Sequence, residues 1–209
     1  MQISCLKKCD RKSIIEESKM EYFRPLHTNR TVSISLLAIL TALTTVATIV
    51  LVVPFPTTAG YFNLGDVLVM LSGFLLGPIG GFIAGGGGSA IADMLLAPQY
   101  APITFIAKGL EGMLVGLLSA KTIEEARVNP LDVLGVFLAS IAMMLGYLLG
   151  EVYVLGYSFG AALAELITVN SIQVIVGSAV TLMIGPKIRG YFKGLSPELE
   201  DSTMPLDDN

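Results

Sequence analysis

The sequence predicts an all-α integral membrane protein, a bundle of six transmembrane helices with both termini in the cytoplasm. Three observations carry that expectation: the composition, the length of the apolar stretches and the one-sided placement of the basic residues. Of 209 residues 53% are apolar and 14% charged, with a mean hydropathy of +0.72, whereas soluble domains run at roughly 25% charged. A water-soluble fold of this length has no interior large enough to hide so much apolar side chain. The 22 glycines and the absence of tryptophan fit a tight helical bundle, because small residues let membrane helices approach closely where lipid supplies no hydrophobic drive between them.

Taken in order, residues 1–31 form a polar cytoplasmic segment, residues 32–190 the six-helix membrane domain, and residues 191–209 an acidic, disordered cytoplasmic tail. The first segment has no apolar run long enough for a signal-peptide core, so neither cleavage nor export is expected, and Met20 is an alternative start. Its two cysteines, Cys5 and Cys9, read as free cytosolic thiols, since a lone C-x-x-x-C is not a metal signature. The six apolar stretches are Val32–Val53, Leu64–Leu76, Ile79–Leu96, Ile103–Ala120, Leu131–Val154 and Ser171–Gly185; a bilayer core needs about 17–25 residues. The second is short and runs into the third through Gly77-Pro78, where a proline without an N–H and a glycine free to take positive φ predict a tight turn. The tail holds Glu198, Glu200, Asp201, Asp207 and Asp208.

Lys and Arg collect in cytoplasmic loops of membrane proteins. With six spans and an inner N-terminus, Lys7, Lys8, Arg11, Lys12, Lys19, Arg24, Arg30, Lys121, Arg127, Lys187, Arg189 and Lys193 all fall inside, 12 of the 13 basic residues. The loops near 54–63, 97–102 and 155–170, expected outside, hold none. A five- or seven-span arrangement puts one terminal cluster on the wrong side. The net charge of −4 argues against nucleic acid as a partner, since phosphate contacts need a basic surface.

Ionisable groups inside a membrane are costly and are functional candidates by default. Here they are Asp66, Asp93, Lys108, Glu111, Glu151 and Glu165, and the topology puts all but Glu111, near mid-depth, in the outer half. Asp132, at the inner start of the fifth span, is expected to reach cytosolic water. Each candidate also has a plain structural reading. Asn63 or Asp66 suits a helix cap, Lys108 and Glu111 three apart suit a neutralising ion pair, and Glu151 and Glu165 suit a wet interface. Clustering in one leaflet favours an outward-opening pocket. Around it stand Phe55, Tyr61, Phe62, Tyr100, Tyr147 and Tyr157 for stacking and Asn63, Gln99, Asn170 and Gln173 for hydrogen bonds, a mixture suited to a flat polar heterocycle. Interfacial aromatics are also ordinary belt residues, so of the aromatics only Tyr61, Tyr100 and Tyr147, each beside a polar candidate, are taken as ligand contacts.

Small residues form stripes as well. Ala38 and Ala42 lie four apart on the first span, suited to close approach of a partner helix. Gly77, Gly81, Gly85, Ser89 and Asp93 repeat at four-residue steps, and Gly146 and Gly150 add a second patch; packing within the chain explains both.

These residues together resemble the substrate-binding S components of energy-coupling factor (ECF) vitamin transporters, in the group around the riboflavin, pyridoxine and hydroxymethylpyrimidine types. The resemblance spans residues 33–190 and rests on Ala38-x-x-x-Ala42, the run Gly60 to Asp66, Leu76-Gly77-Pro78, Gly87 to Asp93, Tyr100-Ala101-Pro102, Lys108 to Gly112 and Ala162 to Glu165. It implies a vitamin or precursor captured from outside, docking through the first span onto a transmembrane coupling subunit, and two ATPase subunits driving the cycle. The implied protein is a multi-pass resident of the plasma membrane in contact with lipid, not an enzyme, and needs no cofactor or metal. The chain has no G-x-x-x-x-G-K-[ST] of its own, so P-loop energy must come from another chain. Residues 54–63, with Pro54, Pro56 and Gly60, take the place of the lid that the family's first outer loop supplies. Some members stack their ligand on tryptophan; its absence here counts against a thiamin-type pocket and leaves riboflavin, pyridoxine, hydroxymethylpyrimidine and deazapurine precursors open.

The expected ligand contacts are thus Tyr61, Asn63, Asp66, Asp93, Tyr100, Lys108, Glu111, Tyr147, Glu151, Glu165, Asn170 and Gln173, with Ala38 and Ala42 for docking. The rival readings are an intramembrane enzyme, a ligand-free structural subunit and a stand-alone carrier. The first needs a nucleophile with a base or a metal set, and the only histidine, His27, lies outside the spans.

Overall fold

A computed structural model describes residues 30–56, 58–119 and 127–201. Helix α1 (Arg30–Val50) leads into a two-stranded antiparallel ribbon, β1 (Val53–Pro54) paired with β2 (Tyr61–Phe62). Helix α2 (Gly65–Gly81) passes through a π-helical segment, Phe82–Gly87, into α3 (Gly88–Leu96). Then come α4 (Ala101–Ser119), α5 (Pro130–Tyr153) and α6 (Phe159–Glu165), the last continued by a second π segment, Leu166–Asn170, into α7 (Ser171–Asp201).

Among the described residues, five helical segments are long and apolar enough to cross a membrane, where six were expected: Thr31–Val50, Gly65–Leu96, Ala101–Ser119, Pro130–Tyr153 and Phe159–Ile188. The difference lies in Gly65–Leu96, whose 32 residues absorb the second and third predicted spans. That segment is not straight. Gly77 takes φ 72° and ψ −168°, a conformation that costs little only without a Cβ. Beyond it the chain doubles back: a Cβ on Gly81 would come 2.8 Å from the Gly73 Cα, and one on Gly85 would come 2.7 Å from Val69 Cγ1. In a straight helix residues eight apart are about 12 Å from each other. The predicted turn at Gly77-Pro78 is therefore present, as a kink between two helical arms.

Two other boundaries differ from expectation. The connection expected over 155–170 is helical from Phe159, because the Ser158 hydroxyl caps α6 by accepting from Ala161 N at 3.3 Å and the small-residue run Gly160-Ala161-Ala162 offers no breaker strong enough to stop it. Residues 191–201, expected as the start of a disordered tail, belong to α7; a helix already anchored in a packed span extends without a new nucleation cost. Cys5, Cys9, Lys121 and residues 202–209 lie outside the described residues. Asp132, expected to be wet, is fully buried and forms a capping box, accepting from Asn129 N at 3.1 Å while Asn129 Oδ1 accepts from Leu131 N at 3.1 Å. Its role is to start α5.

Helix α4 is the hub, packed against α2, both halves of the hairpin and α5. Its glycines make that possible. A Cβ on Gly116 would stand 2.6 Å from Pro78 N and one on Gly109 2.7 Å from Phe82, while Gly73 and Gly81 each face the Gly112 carbonyl. The four-residue glycine stripe is filled from within the chain and seats no external helix. The half of the bundle away from the ribbon holds an apolar cluster of Met70, Phe74, Val115, Val136 and Ala139, with Asp132 as its buried carboxylate. Helix α1 is the least enclosed span. It is held by Leu40 against Leu75, Leu76 and Ala84 and by Thr45 Oγ1 donating to the Gly88 carbonyl at 2.8 Å. Its other face, with Ile34, Ala38, Ile39, Ala42, Leu43 and Val46, is exposed.

Candidate functional site

At the end of the bundle where the ribbon, the turn at 97–100 and the turn before α6 meet, the interior changes from apolar to polar. A cavity with about 290 Å³ of empty space, part of it open to solvent, is lined by Gly60, Tyr61, Asn63, Asp93, Tyr100, Tyr147, Glu165, Asn170 and Gln173. Eight of these nine are among the expected contacts. The ribbon delivers Tyr61 and Asn63, the end of α3 delivers Asp93, and the second π segment and the start of α7 bring Asn170 and Gln173 round to the same space. A π turn carries one extra residue and so re-aims the side chains that follow it, a device frequent at functional sites.

Two connected networks organise the charge. In the first, both oxygens of Asp93 accept: Oδ1 from the Tyr61 hydroxyl and Oδ2 from Thr104 Oγ1, which in turn lies 2.8 Å from the Tyr147 hydroxyl. Burial, and then Asp93, push the Tyr61 phenol well above its usual value, so it stays a donor throughout the physiological range. Burial and the carboxylates of Glu165 and Glu151 do the same to Tyr100. In the second network Lys108 Nζ binds Asp66 Oδ1 and stands 3.6 Å from Glu111 Oε2. Gln173 ties the second network to the ribbon, donating to Asp66 Oδ1 at 3.1 Å and accepting from Asn63 N at 3.1 Å. Asn63 Oδ1 accepts from Gly65 N at 2.8 Å, so the helix-start role falls to Asn63, and Asp66 serves Lys108 instead. The Lys108–Glu111 pair foreseen at three-residue spacing is present, with Asp66 as the closer partner.

Glu165 is held by the Thr58 hydroxyl, and its carboxyl lies against that of Glu151. Glu151 is completely buried, not wet as one reading allowed. Gly60 has no side chain because the Glu165 carboxylate occupies the space a Cβ would need. Tyr100 tilts against Tyr147 and Tyr157, ring centroids 6.4 Å apart in both cases, giving the cavity an aromatic wall.

Residues 28–189 match the family described as ECF-type riboflavin transporter, S component. The chain belongs to that family. As an S component it is a transport protein and not an enzyme, and its several apolar helices make it a multi-pass membrane protein. Among its relatives, an uncharacterised protein of Pyrococcus woesei is 39% identical over 158 residues, 75% of this chain and 99% of the relative. The thiamine precursor transporter HmpT of Lactococcus lactis subsp. cremoris (strain MG1363) is 33% identical over 159 residues, 74% of this chain and 86% of the relative. A solved S component of a bacterial ECF transporter superposes with a TM-score of 0.58 at 21% identity, covering 79% of this chain and 99% of that one; that likeness concerns the fold.

Within this S component the expected contacts divide in two. Tyr61, Asn63, Asp93, Tyr100, Tyr147, Glu165, Asn170 and Gln173 face the cavity. Asp66, Lys108, Glu111 and Glu151 stand behind it, fully buried and engaged with one another or with Glu165. Phe55, Phe62, Gln99 and Tyr157 do not line it. Sequence reasoning missed Thr104, Thr58 and Gly60. Thr104 had a visible signal, since Thr104, Lys108 and Glu111 at i, i+4 and i+7 share one face of α4. Thr58 and Gly60 had none, because their partner Glu165 is more than a hundred positions away.

Proposed function

We propose that this S component captures a small, flat vitamin or vitamin precursor from the extracellular side of the plasma membrane and delivers it through an ATP-driven module of one transmembrane coupling subunit and two ATPase subunits. The carrying observation is the convergence of two carboxylates, three amides and three tyrosines on one cavity at the ribbon end of the bundle. In this reading the chain crosses the membrane six times, because the Gly65–Leu96 hairpin reverses at Gly77, and both termini are cytoplasmic, as the basic residues require. The exposed Ala38 and Ala42 of α1 meet the coupling subunit. The name of HmpT, a thiamine precursor transporter, favours a precursor of the hydroxymethylpyrimidine kind over riboflavin.

The test has two arms. A ligand present at about 1,000 times its Kd should raise the stability of the purified S component by about 4 kcal/mol, read as a shift in Tm. Cells should take up that ligand only when the coupling module is expressed with it. Uptake by this chain alone would favour a stand-alone carrier, and no stabilisation by any vitamin or precursor would favour a structural subunit.

A further inference from the structure

Four glycines in succession, Gly85 to Gly88, span the junction between the first π segment and α3. A glycine in a helix is costly because it loses more backbone freedom on folding than any other residue, so each one asks for a reason. Three of the four have one in close packing. A Cβ on Gly85 would come 2.7 Å from Val69 Cγ1, one on Gly86 2.5 Å from the Phe105 carbonyl oxygen, and one on Gly88 2.6 Å from the Thr41 carbonyl oxygen. Gly87 has no such reason. Nothing lies within 4 Å of the Cβ it lacks, and its φ of −64° and ψ of −47° are ordinary helical angles open to any residue. What glycine alone supplies at position 87 is freedom to leave that conformation.

The surroundings divide at this residue. Before it, Gly81 and Gly86 lie directly against the backbone of α4, which leaves the arm from Pro78 to Gly86 no room to shift. After it, the outward side of α3 is exposed through Ile91, Met94, Leu95 and Leu96, and the inward side is small, with Ser89, Ala90 and Ala92. The buried Ser89 hydroxyl has no hydrogen-bond partner; α3 is tied inward by Asp93, through Tyr61 and Thr104, and to α1 by Thr45. The hydrogen-bond ladder also changes register here, at the end of a π turn, with the Gly88 N–H reaching both the Ala84 and the Gly85 carbonyls. We infer that Gly87 is a hinge on which α3 swings away from the bundle, carrying Asp93 off the cavity wall and opening the site for release of the captured ligand. A hinge of this kind needs only one or a few residues able to absorb a large φ/ψ change. The inference rests on the ligand-capture reading above and adds the part that moves.

Spin labels at Leu95→Cys on α3 and Met183→Cys on α7, in the full-length chain with Cys5 and Cys9 replaced by Ser and held in nanodiscs, measure the swing without a ligand. A second distance, or one broad distribution, is expected. Gly87→Ala places its methyl group in open space, so it should fold and raise the Tm. It should also lower the population of the second distance about two- to fivefold, the Gly-to-Ala difference in helix propensity read as a ratio. With the coupling module present, uptake by cells should fall by about the same factor, while ligand affinity of the purified S component stays unchanged. Gly160→Ala, at another helical glycine with nothing within 4 Å, should alter neither distances nor uptake. A single narrow distance in the wild type, or wild-type distances and uptake in Gly87→Ala, overturns the hinge. So does loss of the coupling subunit from Gly87→Ala, which would make the open space a seat for a partner helix. A wild type that takes up no vitamin or precursor with its coupling module overturns the capture reading, and the label distances still decide whether α3 swings.

Discussion

Asp93 holds the Tyr61 hydroxyl on one oxygen and Thr104 on the other, so the orientation of this carboxylate on the cavity wall is set by two neutral donors from different elements. Removing one of them loosens that orientation. Tyr61→Phe should weaken ligand binding about tenfold, because a hydrogen bond to a charged group contributes about 1.5–3 kcal/mol, and Asp93→Asn should weaken it more; calorimetry with whichever compound raises the Tm of the purified protein reads both. Lys108 plays another part. It neutralises Asp66 and Glu111 in a region where neither carboxylate reaches water. Breaking a buried pair by removing one partner costs about 3–5 kcal/mol, so Lys108→Met should lower Tm sharply, and Lys108→Met combined with Asp66→Asn should recover part of the loss. A Lys108→Met protein as stable as the wild type would show that the ammonium is not what holds the carboxylates there. Lys108, Glu111 and Asp66 were legible as costly charges, and the sequence spacing even paired the first two. That Asp66 is the closer partner follows from a contact 42 positions away in sequence, which periodicity on one helix cannot reveal.

At the scale of the element, the hairpin around Gly77 and the helix seated in it depend on missing side chains. Gly81 faces the Gly112 carbonyl and lies close to Gly73, so Gly81→Val would force the two arms and α4 apart. Overpacking of this kind costs about 1–3 kcal/mol, and a lower Tm together with weaker ligand binding should follow, since Asp93 rides on the displaced arm. Gly77→Ala tests the turn alone: a non-glycine residue at positive φ with extended ψ costs about 1–3 kcal/mol, read as a lower Tm, while no atom lies within 4 Å of the added Cβ. Helix α1 is the contrasting case. Ala38 and Ala42 are exposed and touch nothing the cavity needs, so replacing both with Leu should abolish co-purification with the coupling subunit and leave ligand affinity unchanged. A complex that survives the exchange would remove the docking role from this stripe.

The whole molecule is polar at one end of its interior and apolar over most of its outside. Large apolar side chains such as Ile79, Phe137, Leu149 and Ile175 are exposed, whereas Asp66, Asp93, Lys108, Glu111, Glu151 and Glu165 are buried, the arrangement a bilayer imposes because polar groups facing lipid cost several kcal/mol each. The proposed six crossings, with the cytoplasm at both ends, make a direct prediction for the N-terminal segment. Cys5 and Cys9, the only cysteines, should react with a membrane-impermeant maleimide in permeabilised cells and stay unlabelled in intact ones. Labelling of intact cells would reverse the orientation and place the cavity on the cytosolic side.

By itself the sequence determined membrane residence, the apolar spans, the Gly77-Pro78 turn and the gathering of polar residues toward one end, because each follows from local composition or from spacing within one helix. Only the tertiary structure decided that Asp93 and Glu165 face the cavity while Asp66, Glu111 and Glu151 stand behind it. It also decided that the chain before Ser171 is helix and not loop, through a π turn that swings Asn170 and Gln173 inward. Those outcomes depend on which helix faces are pressed together across a hundred residues of chain, and close packing fixes that only once the whole bundle has formed.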